Sequence, residues 1–265
     1  MKRHFLDVPP YLRHLIQAIE AEYVQTPGSY LQFITELVGI SGHELVILTT
    51  NYDTYIESAL RMFSPKTYVY SSIQDYVRPD RQVRLAKLHG STNWGYPFHE
   101  AYESDVSGSP WPERWIERVQ YLRLPLDSRR TIIDDGKATG PAWFAKDGTR
   151  TTFLYPVLTA PLAGKDEPSL VCPEEHIIAA REFMSIPHTV LVLGSSGLDD
   201  DVLALLSNNS TNITRAKVVT KDDAPAVAER FARALGMAVE DIACYDLGFS
   251  TWMANQDFRQ FADSA

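Results

Sequence analysis

The sequence predicts an α/β fold, a doubly wound parallel sheet with a small subdomain inserted into it. Three observations carry that reading. The short β-rich run ELVILTT (44–50) is apolar on both faces, the pattern of a central parallel strand covered by helices on each side. Segments with apolar residues at helical spacing fall between the short strands, and strands alternating with helices build parallel sheets. From 95 to 150 the rhythm stops: Trp111, Trp115 and Trp143 lie there among prolines, glycines and charges with no sustained period.

Taken in order, residues 1–43 read as N-terminal helices. Leu12, Leu15, Ile16, Ile19 and Tyr23 lie at helical spacing over 9–24, and Pro27-Gly28 ends that amphipathic helix. A second helix is expected from Ser29, with Gln32 three residues on completing a capping-box pattern and Leu31, Ile34, Leu37 and Val38 turned inward. The strand ELVILTT leads into a helix carrying Tyr55, Ile56, Ala59, Leu60 and Phe63. Further strands are expected at 66–71 and 83–88, and then the insertion at 95–150. Strands at 152–158, 189–193, 217–220 and 242–245 alternate with helices at 173–185, up to about 207, at 224–235 and at the C-terminus. The whole reads as one domain over 1–265, a Rossmann-like sheet with a cap.

Composition narrows the function classes. Apolar residues make up 45% and charged residues 22%, as in a folded globular protein. With 25 Lys+Arg against 34 Asp+Glu the net charge is −9, so nucleic acid is not an expected partner. Cys172 and Cys244 stand far apart and form no CxxC pair, so no metal site is expected. No stretch has signal-peptide or membrane-span character, and the chain reads as cytoplasmic with no membrane contact. Glu174-Glu175-His176 reads as a solvated first turn of its helix rather than a metal site.

In a parallel α/β sheet ligands bind beyond the carboxyl ends of the strands. Three junctions there carry small or polar residues: TTNYD (49–53), HGS (89–91) and GSSGLDDD (194–201). Each also has a plain structural reading. Asp53 serves as a helix cap with Asn51 bonding the turn, His89 as a turn histidine satisfied by backbone, and the aspartates 199–201 as caps complementing a helix dipole.

Together and in this order, LTTNYDTYIESAL, KLHGS and VLVLGSSGLDDDVLALL resemble the Asn-x-Asp, His-Gly and late Gly-Ser motifs of the sirtuin-like family, over about residues 44–207. YPVLTAPLAGK is similar to the stretch between the last two in the zinc-free bacterial branch. The resemblance implies NAD as substrate or ligand. It makes His89 the general base and Asn51 the residue that holds the nicotinamide ribose and the attacking water. Thr50, Asp53, Gly90, Gly194, Ser195 and Ser196 become binding residues, with Gly194 and Ser195 toward the phosphate or the adenine-side ribose. The implied activity is NAD hydrolysis to nicotinamide and ADP-ribose, in anti-phage defence. The other reading is a catalytically weak module that binds NAD or a related nucleotide and acts through a partner.

Two departures bear on this. The family's Gly-Ala-Gly-x-Ser loop has no counterpart in the 48 residues before Thr49, which read as two helices. A truncated or split chain, or one without tight NAD binding, is the expectation, and an uncovered strand edge predicts self-association or a partner protein. The CxxC pairs and the Phe-Gly-Glu segment of peptide-deacetylating members are also absent, which disfavours deacetylation.

Overall fold

The computed structural model describes residues 8–23, 28–40, 42–98, 128–134, 144–147, 150–158, 173–207 and 212–264. Helix α1 (Val8–Tyr23) stands where the periodicity puts it, but with its polar side inward. Arg13 and Glu20 are buried, whereas Leu15 and Ile19 of the apolar stripe are exposed. Helix α2 (Gly28–Ile34) runs into a π-helical turn (Thr35–Ile40) and buries Phe33, Ile34, Leu37 and Val38. Ser29 lies inside α2 rather than capping it, and its hydroxyl bonds Ser250 at 3.2 Å.

Strand β1 (Leu45–Thr49), helix α3 (Tyr55–Phe63) and strand β2 (Val83–Lys87) form a β-α-β unit with β1 and β2 parallel. The strand expected at 66–71 is absent; those residues form turns and irregular backbone. Tyr68 is buried there, and its hydroxyl accepts from the Val83 N–H at 3.1 Å, so the segment meets β2 through a side chain and not a ladder.

The chain then reverses. Strand β3 (Gly90–Phe98) pairs antiparallel with β4 (Ile132–Ile133) and with β6 (Arg150–Leu158), and β5 (Phe144–Asp147) pairs antiparallel with β6. The strand expected at 152–158 is therefore present but belongs to this four-stranded antiparallel sheet, of order β4-β3-β6-β5, and not to the parallel one. Trp111, Trp115 and Trp143 lie outside the described residues.

Helix α4 (Glu174–Met184), strand β7 (His188–Leu193), helix α5 (Asp200–Ser207), strand β8 (Ile213–Val219), helix α6 (Ala224–Leu235) and strand β9 (Ile242–Tyr245) follow, then the short helices α7 (Phe249–Met253) and α8 (Gln256–Ser264). Strands β7, β8 and β9 form a parallel sheet in that order. The class is α/β, but the parallel strands stand in two ladders, β1-β2 and β7-β8-β9. One core serves both: Leu60, Leu85 and Ala86 of the first unit and Val218, Val219, Phe231 and Trp252 of the second belong to a continuous cluster. Phe33 of α2 bridges them, its ring edge-on to Phe249 and tilted against Phe258. Among the described residues no helix is long and apolar enough to cross a membrane.

Candidate functional site

The first junction follows β1. The Thr49 hydroxyl accepts from the Asn51 N–H at 3.1 Å and turns the chain out of the strand. Asp53 then accepts from the Tyr55 N–H at 3.2 Å through Oδ1, the local bond of an Asx turn before α3. The N-cap of α3 is Thr54, so Asp53 bonds the turn ahead of the helix rather than capping it as expected. Thr50 is half-buried and the Asn51 side chain is exposed.

Distant residues hold this loop. Glu20 of α1 accepts from the Thr54 N–H and from its hydroxyl through Oε1, and from the Thr92 hydroxyl through Oε2. Arg13 and Gln17 donate to the Thr92 carbonyl. Burial lowers the Arg13 guanidinium to about 10, with Asp134 and Glu20 opposing. The polar side of α1 turns inward because these donors and acceptors sit beneath it, and a buried polar group needs a partner.

Lys87, at the end of β2, is fully buried and donates to the Asp53 carbonyl and to Glu57 of α3, the latter at 2.9 Å. Burial pushes the Glu57 carboxyl up, against the opposing pull of Lys87. His176 is fully buried as well, which corrects its reading as part of a solvated turn. Its Nδ1 accepts from the Lys87 N–H at 3.2 Å, and its ring lies against Tyr76 and Trp94. Burial lowers this imidazole to about 4, so it is neutral.

The second junction is tied to the first by backbone. Leu88 N–H donates to Thr49 O at 2.8 Å and Thr92 N–H to Tyr52 O at 2.9 Å. Gly90 must be glycine: φ is +85°, and a Cβ there would lie 2.0 Å from the Val157 carbonyl oxygen. That close approach is where β3 meets β6, and it fixes the direction in which His89 leaves the strand end.

The third junction reaches His89 through a residue not among the expected site residues. Asp199 Oδ2 lies 3.0 Å from His89 Nε2, while Asp199 Oδ1 accepts from the Val202 N–H at 3.2 Å. One carboxylate both caps α5 and holds the histidine. The sequence showed the aspartate run but gave no means of telling which of the three faces His89. Tyr52 also stands near, its ring 6.4 Å from His89; burial and the Asp199 charge push its hydroxyl up to about 12. Gly194 has φ +63° with open space where a Cβ would be, Ser195 Oγ accepts from the Gly197 N–H, and the Ser196 carbonyl accepts from Arg230.

The structure therefore brings His89, Gly90, Asp53 and the loop 194–199 to one rim, with Thr50 and Asn51 on the same strand-end turn. The open depression lined by Thr214, Lys217, Gly236, Asp241 and Gln260 lies at the opposite, amino-terminal ends of β8 and β9 and includes none of these residues. Among the described residues no cluster of His, Cys, Asp and Glu fits a metal ion.

Comparison with known proteins bears on the first two junctions of the rim. Residues 45–116 match the family model described as SIR2-like domain. No curated protein matches the chain. Among solved structures, that of Sir2Tm bound to a propionylated peptide covers 97% of this chain and 81% of its own at 13% identity, with a TM-score of 0.49. Over residues 45–116, which take in both the Asn-x-Asp and the His-Gly junctions, the chain is similar to the SIR2-like domain family.

Proposed function

We propose that the protein hydrolyses NAD at the nicotinamide–ribose bond, releasing nicotinamide and ADP-ribose. The observation that carries this is the His89–Asp199 pair at 3.0 Å on the same rim as the exposed Asn51 side chain. With Asp199 accepting from Nε2–H, the tautomer leaves the Nδ1 lone pair of His89 as the base. Water adds to C1′ of the ribose as the C1′–N bond breaks, the electron pair leaves with nicotinamide, and the water proton passes to His89. The bond is already activated by the pyridinium charge, so the reaction needs positioning and a base more than a strong nucleophile. The carboxylate of Asp199 stabilises the imidazolium as it forms and favours the positive charge developing on the ribose.

The residues fit the ribose and nicotinamide end of the ligand. The Asn51 carboxamide offers a donor and an acceptor to ribose hydroxyls or water at that end, while toward the phosphate or the adenine-side ribose Gly194 lets a ligand approach the backbone closely. The setting in which such an activity serves is the cytoplasm, where NAD depletion acts against phage; the family resemblance supports this role.

The test is nicotinamide release by wild type, His89→Ala and Asn51→Ala, with NAD binding followed by calorimetry. Release abolished in both variants, with binding retained in His89→Ala, is the expected result; binding without release in wild type overturns hydrolysis.

A second reading rests on electrostatics. Asp53, Asp199 and Asp200 lie at the rim, while the neighbouring cations Lys87 and Arg230 are engaged by Glu57, Asp53 and the Ser196 carbonyl. Such a rim holds a diphosphate weakly, which suits a nucleotide-responsive module that works through a partner.

A further inference from the structure

β1 is an apolar strand, yet all five of its residues are only half-buried, whereas four of five are buried in β2. Successive strand side chains point to opposite faces, so exposure at every position comes from an open edge and not from an open face. β7 shows the same signature, with Thr189, Val190, Leu191 and Leu193 half-buried.

The hydrogen bonds agree. Leu45 N–H donates to Gln82 O and Leu88 N–H to Thr49 O, so by the alternation of a parallel ladder residues 45, 47 and 49 face β2 while Val46 and Leu48 present their N–H and C=O groups to the other side. Gly194 N–H donates to Val219 O, which sets Val190 and Val192 toward β8 and leaves Thr189, Leu191 and Leu193 presenting theirs outward. Among the described residues no strand pairs with either edge. The outer edge of β2 is treated differently: its Val83 and Lys87 N–H groups are capped by Tyr68 and His176. The two open edges end at the same rim. The residues just beyond β1, β2 and β7 meet at Tyr52, His89 and Asp199, and both strands run with their carboxyl ends at that rim.

We propose that the seam between β1 and β7 is a docking site for one extended strand of a partner polypeptide, parallel to both edges and pairing with both at once. Its chemistry follows from what faces it. Leu45 and Ile47 on one face of β1 and Val46 and Leu48 on the other call for aliphatic side chains on both faces, over the five or six residues that β1 and β7 span. At its carboxyl end the strand emerges beside Asp53, Asp199 and Asp200, which call for lysine or arginine. The proposal stands apart from the hydrolase reading, since it uses backbone groups of the sheet and not the His89 chemistry.

The probe is an acetylated heptapeptide of five alternating Val and Ile followed by two Lys, added to the 265-residue chain while amide exchange is followed residue by residue. The expected result is exchange slowed at least tenfold at Val46, Leu48, Thr189, Leu191 and Leu193, saturating with peptide, and little change at Ile47 and Thr49. A peptide with central proline, or with the lysines moved to its amino end, should give no slowing. Leu48→Pro removes a seam donor but no β1–β2 ladder donor, because its N–H points outward, and should lose the response. If that variant leaves Ile47 and Thr49 unprotected through misfolding, the proline peptide on wild type decides. Seam amides already slow in the dilute chain alone mean that its own residues close the seam, and slowing that tracks protein concentration means a second copy does. Either result overturns the proposal, as does equal slowing by the control peptides or none by the probe.

Discussion

The two sides of the rim are built on different plans. On the β1-β2 side the junctions are held by residues far away in sequence: Glu20 on Thr54, Arg13 on Thr92, Lys87 on Glu57 and on the Asp53 carbonyl. On the β7 side the loop 194–199 is held largely by itself and its own helix, Ser195 to Gly197 and Asp199 to Val202, with Arg230 reaching Ser196. The sides meet at His89 and Asp199. One side is fixed by a buried polar network that tolerates no vacancy, the other by short-range turns that tolerate change. The difference teaches where rigidity is located: in the scaffold behind His89, not in the loop that faces it.

Glu57→Ala tests this most severely. It leaves Lys87 as an uncompensated buried charge and should destabilise by about 3–5 kcal/mol, read from denaturant unfolding. Replacing both partners by apolar residues of similar volume, Glu57→Leu with Lys87→Met, should recover most of that loss. A double variant with no recovery would show that the Asp53 carbonyl, and not the ion pair, is what Lys87 serves.

The next effect is one of pH. His176 is held neutral, its value lowered from 6.5 to about 4 by burial. The unfolded chain binds the proton first, so the stability associated with this group is fully present above pH 6.5 and is lost as pH falls toward 4. At about 1.4 kcal/mol per unit the loss is about 3 kcal/mol. A pH series of unfolding midpoints checks it, and His176→Phe, although less stable, should show a flatter acid limb.

The two glycines at the rim sharpen the comparison further. Gly90 and Gly194 both have positive φ, but a Cβ at Gly90 meets the Val157 carbonyl at 2.0 Å and one at Gly194 meets nothing within 4 Å. Gly90→Ala should destabilise by about 2–3 kcal/mol, Gly194→Ala by about 1 kcal/mol from backbone strain alone. Equal losses in thermal unfolding would mean that the β7 loop is as tightly packed as the β2–β3 turn.

Much of this frame is legible in the sequence, for identifiable reasons. ELVILTT announces a buried strand because a run apolar on both faces has no solvent face, and the three junctions lie where strands run out into polar residues. What was not legible depends on partners distant in the chain. Apolar character on both faces of β1 says nothing of its edges, so the strand pattern alone does not show the division into two ladders. The strand at 150–158 shows its β character but not the direction of its neighbour, and Gly90 reveals the antiparallel contact only through the Val157 carbonyl. Periodicity assigned the apolar stripe of α1 to the core, whereas the burial of Arg13 and Glu20 is dictated by donors and acceptors on residues 54 and 92. His176 looked like one of three polar residues at a helix start; only the fold shows that it faces the Lys87 amide.

The grip of α1 on both junctions has a kinetic consequence. Arg13 reaches across 79 residues to Thr92, about twice the separation of the paired residues of β1 and β2. Contacts of that separation close long loops, and their entropy has to be met before they return any gain, so they form late in folding. The β1-β2 unit can assemble before α1 arrives, but the strand-end turns acquire their final order only when it docks. Undocking of this one helix would release Thr54 and Thr92 together, and with them the turns on either side of His89.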